Sequence, residues 1–230
     1  MQNYKKISFL FEDKEDILTK LSLKILASEF EIEDIEVVQR SIKKYLKKVV
    51  ESFLEQWTCR TLPYHKNILK WNQIFKTFKV SHKRTSLVRE LSYFCLINKR
   101  LPRTDNYLID LSLALSLNHF ISISFYDLSS FRENKIQIRY ANNDIFYSTK
   151  KEKFIAKKED IVISGDQNDE VLSWLFNKQD YNHQPTLKTT KILLIATLLD
   201  QDSQKIKDLL DDLLEIEGLK LISRELFLCR

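Results

Sequence analysis

Glycine is nearly missing from this chain: it occurs twice in 230 residues, beside three prolines. Ordinary usage is about 7% and 5%. Loops that wrap a phosphate need backbone conformations that glycine alone adopts cheaply. No Walker-type or dinucleotide fingerprint occurs in the sequence, so nucleotide-driven chemistry of those classes is excluded. The core material is ample, since 43% of residues are hydrophobic and 14 are Phe. A chain of this length makes one large domain or two small ones.

The 37 basic and 32 acidic residues leave a net charge of +5. That surplus permits a local basic face without demanding nucleic acid. Cys59, Cys95 and Cys229 are odd in number and far apart. They lack zinc-ligand spacing and cannot form a disulfide framework, which fits a reducing cytoplasm. The opening apolar stretch is too short for a signal peptide. No run approaches the roughly 18 apolar residues of a membrane span. The four histidines are scattered without acidic partners at metal spacing, so neither a metal nor a cofactor is expected.

The first 80 residues read mostly as helix. From Ile32 the stripe Ile35, Val38, Ile42, Leu46, Val49, Phe53 and Trp57 steps by three or four, the mark of one buried helix face. Lys43, Lys44, Lys47 and Lys48 flank it as a solvated face, phosphate contact being the sharper alternative. A second helix carries Ile68, Trp71, Phe75 and Phe78. A third begins after Thr85, carries Val88, Leu91 and Cys95, and ends in Lys99 and Arg100 before Pro102. Basic residues suit a last turn, and proline commonly follows it.

After Asp105 the pattern changes. NYLIDLSLALSL predicts a short buried helix or turn. Residues 121–126, 135–141, 144–148, 160–164 and 191–197 are short and rich in β-branched and aromatic residues. Polar punctuation separates them, which predicts strands of one sheet. SQKIKDLLDDLLEIEG predicts an amphipathic helix ending at Gly218, followed by a last strand. Helices, then strands, then a helix and a strand signal an α+β fold. The expected build is an N-terminal helical region, 1–80, packed on a mixed, mostly antiparallel sheet with flanking helices in 81–230.

Five pieces in order carry a resemblance. They are TSLVREL with its following LP and YLIDLSLALSL, then FYDLSSF, IQIRYANNDIFYS, DIVIS and TLKTTKILLI. Together, from about Arg84 to Leu199, they resemble the B3/B4 domain of the phenylalanyl-tRNA synthetase β chain and its free-standing relatives. The resemblance places Asp110, Tyr126, Asp127, Arg139, Thr186 and Thr189 at motif positions. In the synthetase this domain hydrolyses tyrosine wrongly attached to the phenylalanine tRNA. The resemblance therefore implies binding of tRNA or aminoacyl-tRNA, and ester hydrolysis by a positioned water. Tyrosine specificity is not implied. Leu113 stands where the family has Asn, Ser124 where it has a pocket histidine, and FNKQD replaces a Gly-Gly stretch before Asp180 and Tyr181.

The expected substrate pocket thus comprises Asp110, Ser124, Tyr126, Asp127, Arg139, Thr186 and Thr189, with no catalytic residue singled out. Capping is the plainer role for Asp127, and buried pairing for Asp110. Lys83, Arg84, Arg89, Lys99, Arg100 and Arg103 gather around one helix start and end. A helix N-terminus with added cations suits tRNA phosphate, a solubilising basic face being the plainer role. The alternatives to a deacylase are a non-catalytic tRNA- or protein-binding module and a hydrolase of small aminoacyl compounds.

Overall fold

The computed structural model describes residues 9–77, 86–131, 135–147, 152–165, 171–176, 178–199 and 203–227. The fold is α+β, with two principal sheets and a hairpin. The first sheet is built from β2 (Lys24–Ile32), β3 (Ser122–Asp127), β10 (Lys191–Leu198) and β11 (Leu219–Phe227), in the order β11-β2-β10-β3 and antiparallel throughout. The second runs β1 (Leu10–Asp13), β4 (Lys135–Tyr140), β7 (Ile161–Gly165), β8 (Val171–Trp174) and β9 (Lys178–Gln179), in that order. Its β1–β4 pair is parallel and its other pairs are antiparallel. β5 (Ile145–Tyr147) and β6 (Lys153–Ile155) form the hairpin.

Two expectations are corrected. The predicted strands do form, but they are distributed over three sheets rather than one. The first 80 residues also hold β1 and β2 beside their helices. β2 was hidden because Lys24, Ser28, Glu29 and Glu31 interrupt its apolar positions. Nearly the whole strand is nevertheless buried. The Glu29 carboxylate lies inside because the Ser223 hydroxyl of β11 donates to it at 2.6 Å, as a buried charge requires.

The helices are α1 (Ile17–Leu21), α2 (Ile35–Gln56), α3 (Lys66–Thr77), α4 (Leu87–Asn98), α5 (Tyr107–His119) and α6 (Ser203–Leu214). Asp34 caps α2 by accepting from the amides of Glu36 and Val37, which satisfies donors the helix itself leaves unpaired. The buried row of α2 is Val38, Ile42, Tyr45, Val49 and Phe53. Leu46, expected in that row, is half-buried. α5 is apolar nearly all round and lies between α2 and β3. The sequence placed Phe78 on the second helix, but that residue lies outside those described.

One carboxylate ties three helices together. Asp212 Oδ2 on α6 accepts from Tyr45 Oη on α2 at 2.6 Å, and from Asn118 Nδ2 on α5 at 2.7 Å. His119 Nε2 lies 2.8 Å away. Burial alone would raise the Asp212 pKa, but these bonds, His119's foremost, hold it below the ordinary carboxylate range. α6 ends at Leu214, and the turn after it closes at Gly218 with φ +81°. A Cβ there would meet Val38 Cγ2 at 2.9 Å, so this position needs glycine for both conformation and space.

Beside this cluster His65 stacks on Phe120 with ring centroids 3.7 Å apart, and its Nδ1 accepts from the Asn67 amide. Burial, with Lys205 and Lys66 adding to it, pushes the imidazole down to about 4.

Candidate functional site

β3 and β10 are neighbours, with Asp127 opposite Ile192. That pairing brings the end of one quoted motif, FYDLS, against the start of another, TLKTT. Asp127 ends its strand by capping the turn after it: Oδ1 accepts from the Ser129 amide at 2.8 Å and the Ser129 hydroxyl at 2.6 Å. Its Oδ2 accepts from the Thr189 hydroxyl. Thr189 Oγ1 accepts in turn from the Thr186 amide at 2.8 Å, and Thr186 Oγ1 from the Lys188 amide at 3.2 Å. Three of the expected pocket residues, Asp127, Thr186 and Thr189, are therefore one hydrogen-bonded unit.

Tyr126, one residue back on β3, is fully buried. Its ring meets Phe131 edge to face at 6.2 Å. Its hydroxyl is shielded from solvent with no hydrogen-bond partner among the described residues. Ser124 and Ser173 are its hydroxyl neighbours, outside bonding geometry, and burial pushes the phenol up. Ser124 is half-buried and faces Ile195 across the ladder. Asp180 is buried nearby and engaged: it accepts from the Tyr147 amide at 2.7 Å and the Asn182 amide at 2.8 Å, and its Oδ2 lies 3.1 Å from His183 Nδ1.

Arg139 and Asp110 belong to different surroundings. Arg139 forms a two-pronged buried pair with Asp144, at 3.0 and 2.8 Å, and donates to Ser164 Oγ at 3.1 Å. Burial would raise Asp144, but Arg139 holds it below the ordinary range. Both residues line a cavity of about 460 Å³ with Asn142, Asn143 and Lys14. Asp110 sits in the first turn of α5, where Oδ1 accepts from the Thr104 amide at 2.8 Å and the Thr104 hydroxyl at 2.9 Å. Neither Arg139 nor Thr186 or Thr189 supplies those bonds. The α5 start is still tied to the threonine run, because the Asn106 side-chain Nδ2 donates to the Pro185 carbonyl.

Of the expected tRNA cations, Lys83 and Arg84 lie outside the described residues. Arg89, near the start of α4, reaches Asn72 Oδ1 at 3.4 Å and lies over the Tyr93 ring. Lys99 caps the same helix in the left-handed region, ten residues and therefore about 15 Å along the axis. Among the described residues, Arg89 and Lys99 therefore mark the two ends of α4.

The Lys99 end opens onto a groove of about 630 Å³ beside α2. Two rows of α2 line it, each stepping by four: Gln39, Lys43, Lys47 and Glu51, then Ile42, Leu46, Val50 and Leu54. Lys99, Arg100, Arg103 and Asp110 line it from the α4–α5 side, with Leu101 and Tyr107 among them. The sequence reading missed this groove. Its only local signal was the second apolar row, which the buried-stripe reading absorbed at Leu46.

Among the described residues, no group of three or more His, Cys, Asp or Glu side chains is placed to hold a metal. No helix among them is long and apolar enough to cross a membrane. No family model and no curated protein matches the chain. Among solved structures the chain is similar to an N-terminal fragment of the phenylalanyl-tRNA synthetase beta-subunit from Pyrococcus horikoshii, at 12% identity and a TM-score of 0.48. The alignment covers 96% of this chain and 52% of that one. This chain therefore spans about half the length of the fragment, and the likeness concerns chain path alone.

Proposed function

We propose that this chain is a tRNA-binding protein of B3/B4-like build that hydrolyses an aminoacyl ester with a positioned water. The observation that carries the reading is the Asp127–Thr189–Thr186 unit. Its members come from two separately quoted motifs, and they meet through side-chain hydrogen bonds. An ester already activated by its ribose needs orientation of water more than a strong base, and a carboxylate flanked by hydroxyls supplies acceptors for it. Ser124, on β3, stands where the resembled family has a pocket histidine, which favours a substrate other than tyrosine. Phosphate contact falls to Arg89 near the start of α4 and to Lys83 and Arg84, which precede it in the sequence, and Lys99, Arg100 and Arg103 extend the basic surface at its far end.

One observation favours a second reading, a binding module without chemistry. Both oxygens of Asp127 are already engaged by Ser129 and Thr189. The experiment is incubation with a panel of aminoacylated tRNAs, following ester loss and, separately, tRNA affinity against salt. The proposal expects ester loss on at least one tRNA. It also expects an affinity falling by about one log–log unit per phosphate contact. Salt-dependent binding without ester loss selects the binding module, and no binding at all ends both readings.

A further inference from the structure

The groove beside α2 joins an aliphatic floor to a cationic rim. Its floor is aliphatic, from Ile42, Leu46, Val50, Leu54 and Leu101, and the middle three are only half-buried. Its rim carries five cations, Lys43, Lys47, Lys99, Arg100 and Arg103, against Glu51 and Asp110, a surplus of three. Lys47 pairs with Glu51 at 3.7 Å on an exposed helix face, where such pairs are weak. Asp110 Oδ1 is engaged by Thr104. Lys43, Lys99 and Arg103 have no ion pair among the described residues, and Arg100 only lies over the Phe94 ring at 5.6 Å. Tyr107 also lines the groove, and its hydroxyl is shielded from solvent with no hydrogen-bond partner among the described residues.

We propose that this groove binds a free single-chain anionic amphiphile, an alkyl chain ending in an oxyanion head group. The volume, about 630 Å³, falls within the range of small-ligand sites, about 300–1,000 Å³. Lying an α-helix across it would need an interface of about 800 Å² per partner. Single-stranded nucleic acid prefers aromatic platforms, and Tyr107 is the one aromatic ring in the lining. The aliphatic row takes the chain by burial of apolar surface. The arginines take the head group, since a guanidinium offers paired donors to an oxyanion. The inference shares Lys99, Arg100 and Arg103 with the tRNA reading but does not rest on it, since that reading is carried by Asp127 and the threonines.

The test is calorimetric titration of the folded protein with dodecanoate below its micelle-forming concentration. Dodecanol serves as the uncharged chain and acetate as the charge without a chain. Dodecanoate should bind one-to-one with Kd of about 10–100 µM. Dodecanol should bind about tenfold more weakly, and acetate undetectably. The Arg100→Glu/Arg103→Glu variant, all surface charge, should weaken dodecanoate about tenfold or more while leaving dodecanol unchanged. Leu46→Asp, checked for folding by circular dichroism, should weaken both. Equal affinity for dodecanoate and dodecanol overturns the proposal, as does unchanged dodecanoate binding in the arginine variant. So does binding only to anionic vesicles, to an acidic helical peptide or to an oligonucleotide, with none to dodecanoate. Failure here with retained tRNA binding leaves the tRNA reading standing, and the reverse result separates them equally.

Discussion

Replacing Thr189 by valine tests what the Asp127 unit is worth. The two side chains have the same branched shape, so the packing of a residue only 3% exposed is kept and the hydroxyl alone is lost. The donation to Asp127 Oδ2 and the acceptance from the Thr186 amide go with it, as does the longer 3.3 Å contact with the Thr186 hydroxyl. A hydrogen bond to a charged acceptor contributes about 1.5–3 kcal/mol and a neutral one about 1 kcal/mol. Asp127 is half-exposed, so water replaces part of the first, and the sum is about 2 kcal/mol. In a chain of this size that lowers Tm by about 4–8 °C, readable by circular dichroism. Thr189→Ser, which keeps the hydroxyl, should lose less than half as much. Below its own melting range, Thr189→Val should slow ester hydrolysis by about 10–100-fold. A Tm drop of under about 1 °C would refute the reasoning, because the unit would then hold nothing. A full drop with unchanged hydrolysis would make it purely structural.

The Arg139–Asp144 pair should behave as a buried ion pair. Asp144→Ala strands a guanidinium only 10% exposed and should cost about 3–5 kcal/mol in urea unfolding; a loss under about 1 kcal/mol would mean that Ser164 and backbone suffice. His65 should make stability pH-dependent. Its folded pKa of about 4 lies below the ordinary 6.5, so between those values the unfolded state binds more protons and stability falls with falling pH. The loss is about 1–2 kcal/mol for a half-buried ring. His65→Phe keeps the stack on Phe120 and should flatten the curve between about pH 6.5 and 5; parallel curves for the two proteins would sink this assignment.

How much of this was legible depended on where each signal resides. β3, β7 and β10 were readable because a short β-branched run between polar turns is a local signature. Sheet membership was not, because it depends on partners distant in sequence: Asp127 faces Ile192, and Ser223 reaches Glu29. The same blindness hid β2, whose buried Glu29 reads as surface until its acceptor role is known. At the site, the convergence of Asp127 with Thr186 and Thr189 came through the motif order. Asp110 looked like a buried charge because its neighbours are apolar, yet on a helix those neighbours point elsewhere, and its carboxylate turns back onto Thr104. The groove was unreadable for the converse reason. A row stepping by four looks the same whether packed or half-open, and only the position of residues 99–104 over α2 distinguishes them.

β2 lies between β10 and β11, so a strand already made on the ribosome waits for partners made about 170–200 residues later (Lys24 opposite Leu198, Ile25 opposite Phe227). Ribosomes add about 5–20 residues per second, so β2 spends on the order of ten seconds without either neighbour. During that time both of its edges are open to any other strand. The first sheet is therefore completed at its centre only after β10 and β11 have been made. Its vulnerable species is a nascent chain with α2 formed and β2 unpaired, the form on which a chaperone would have to act.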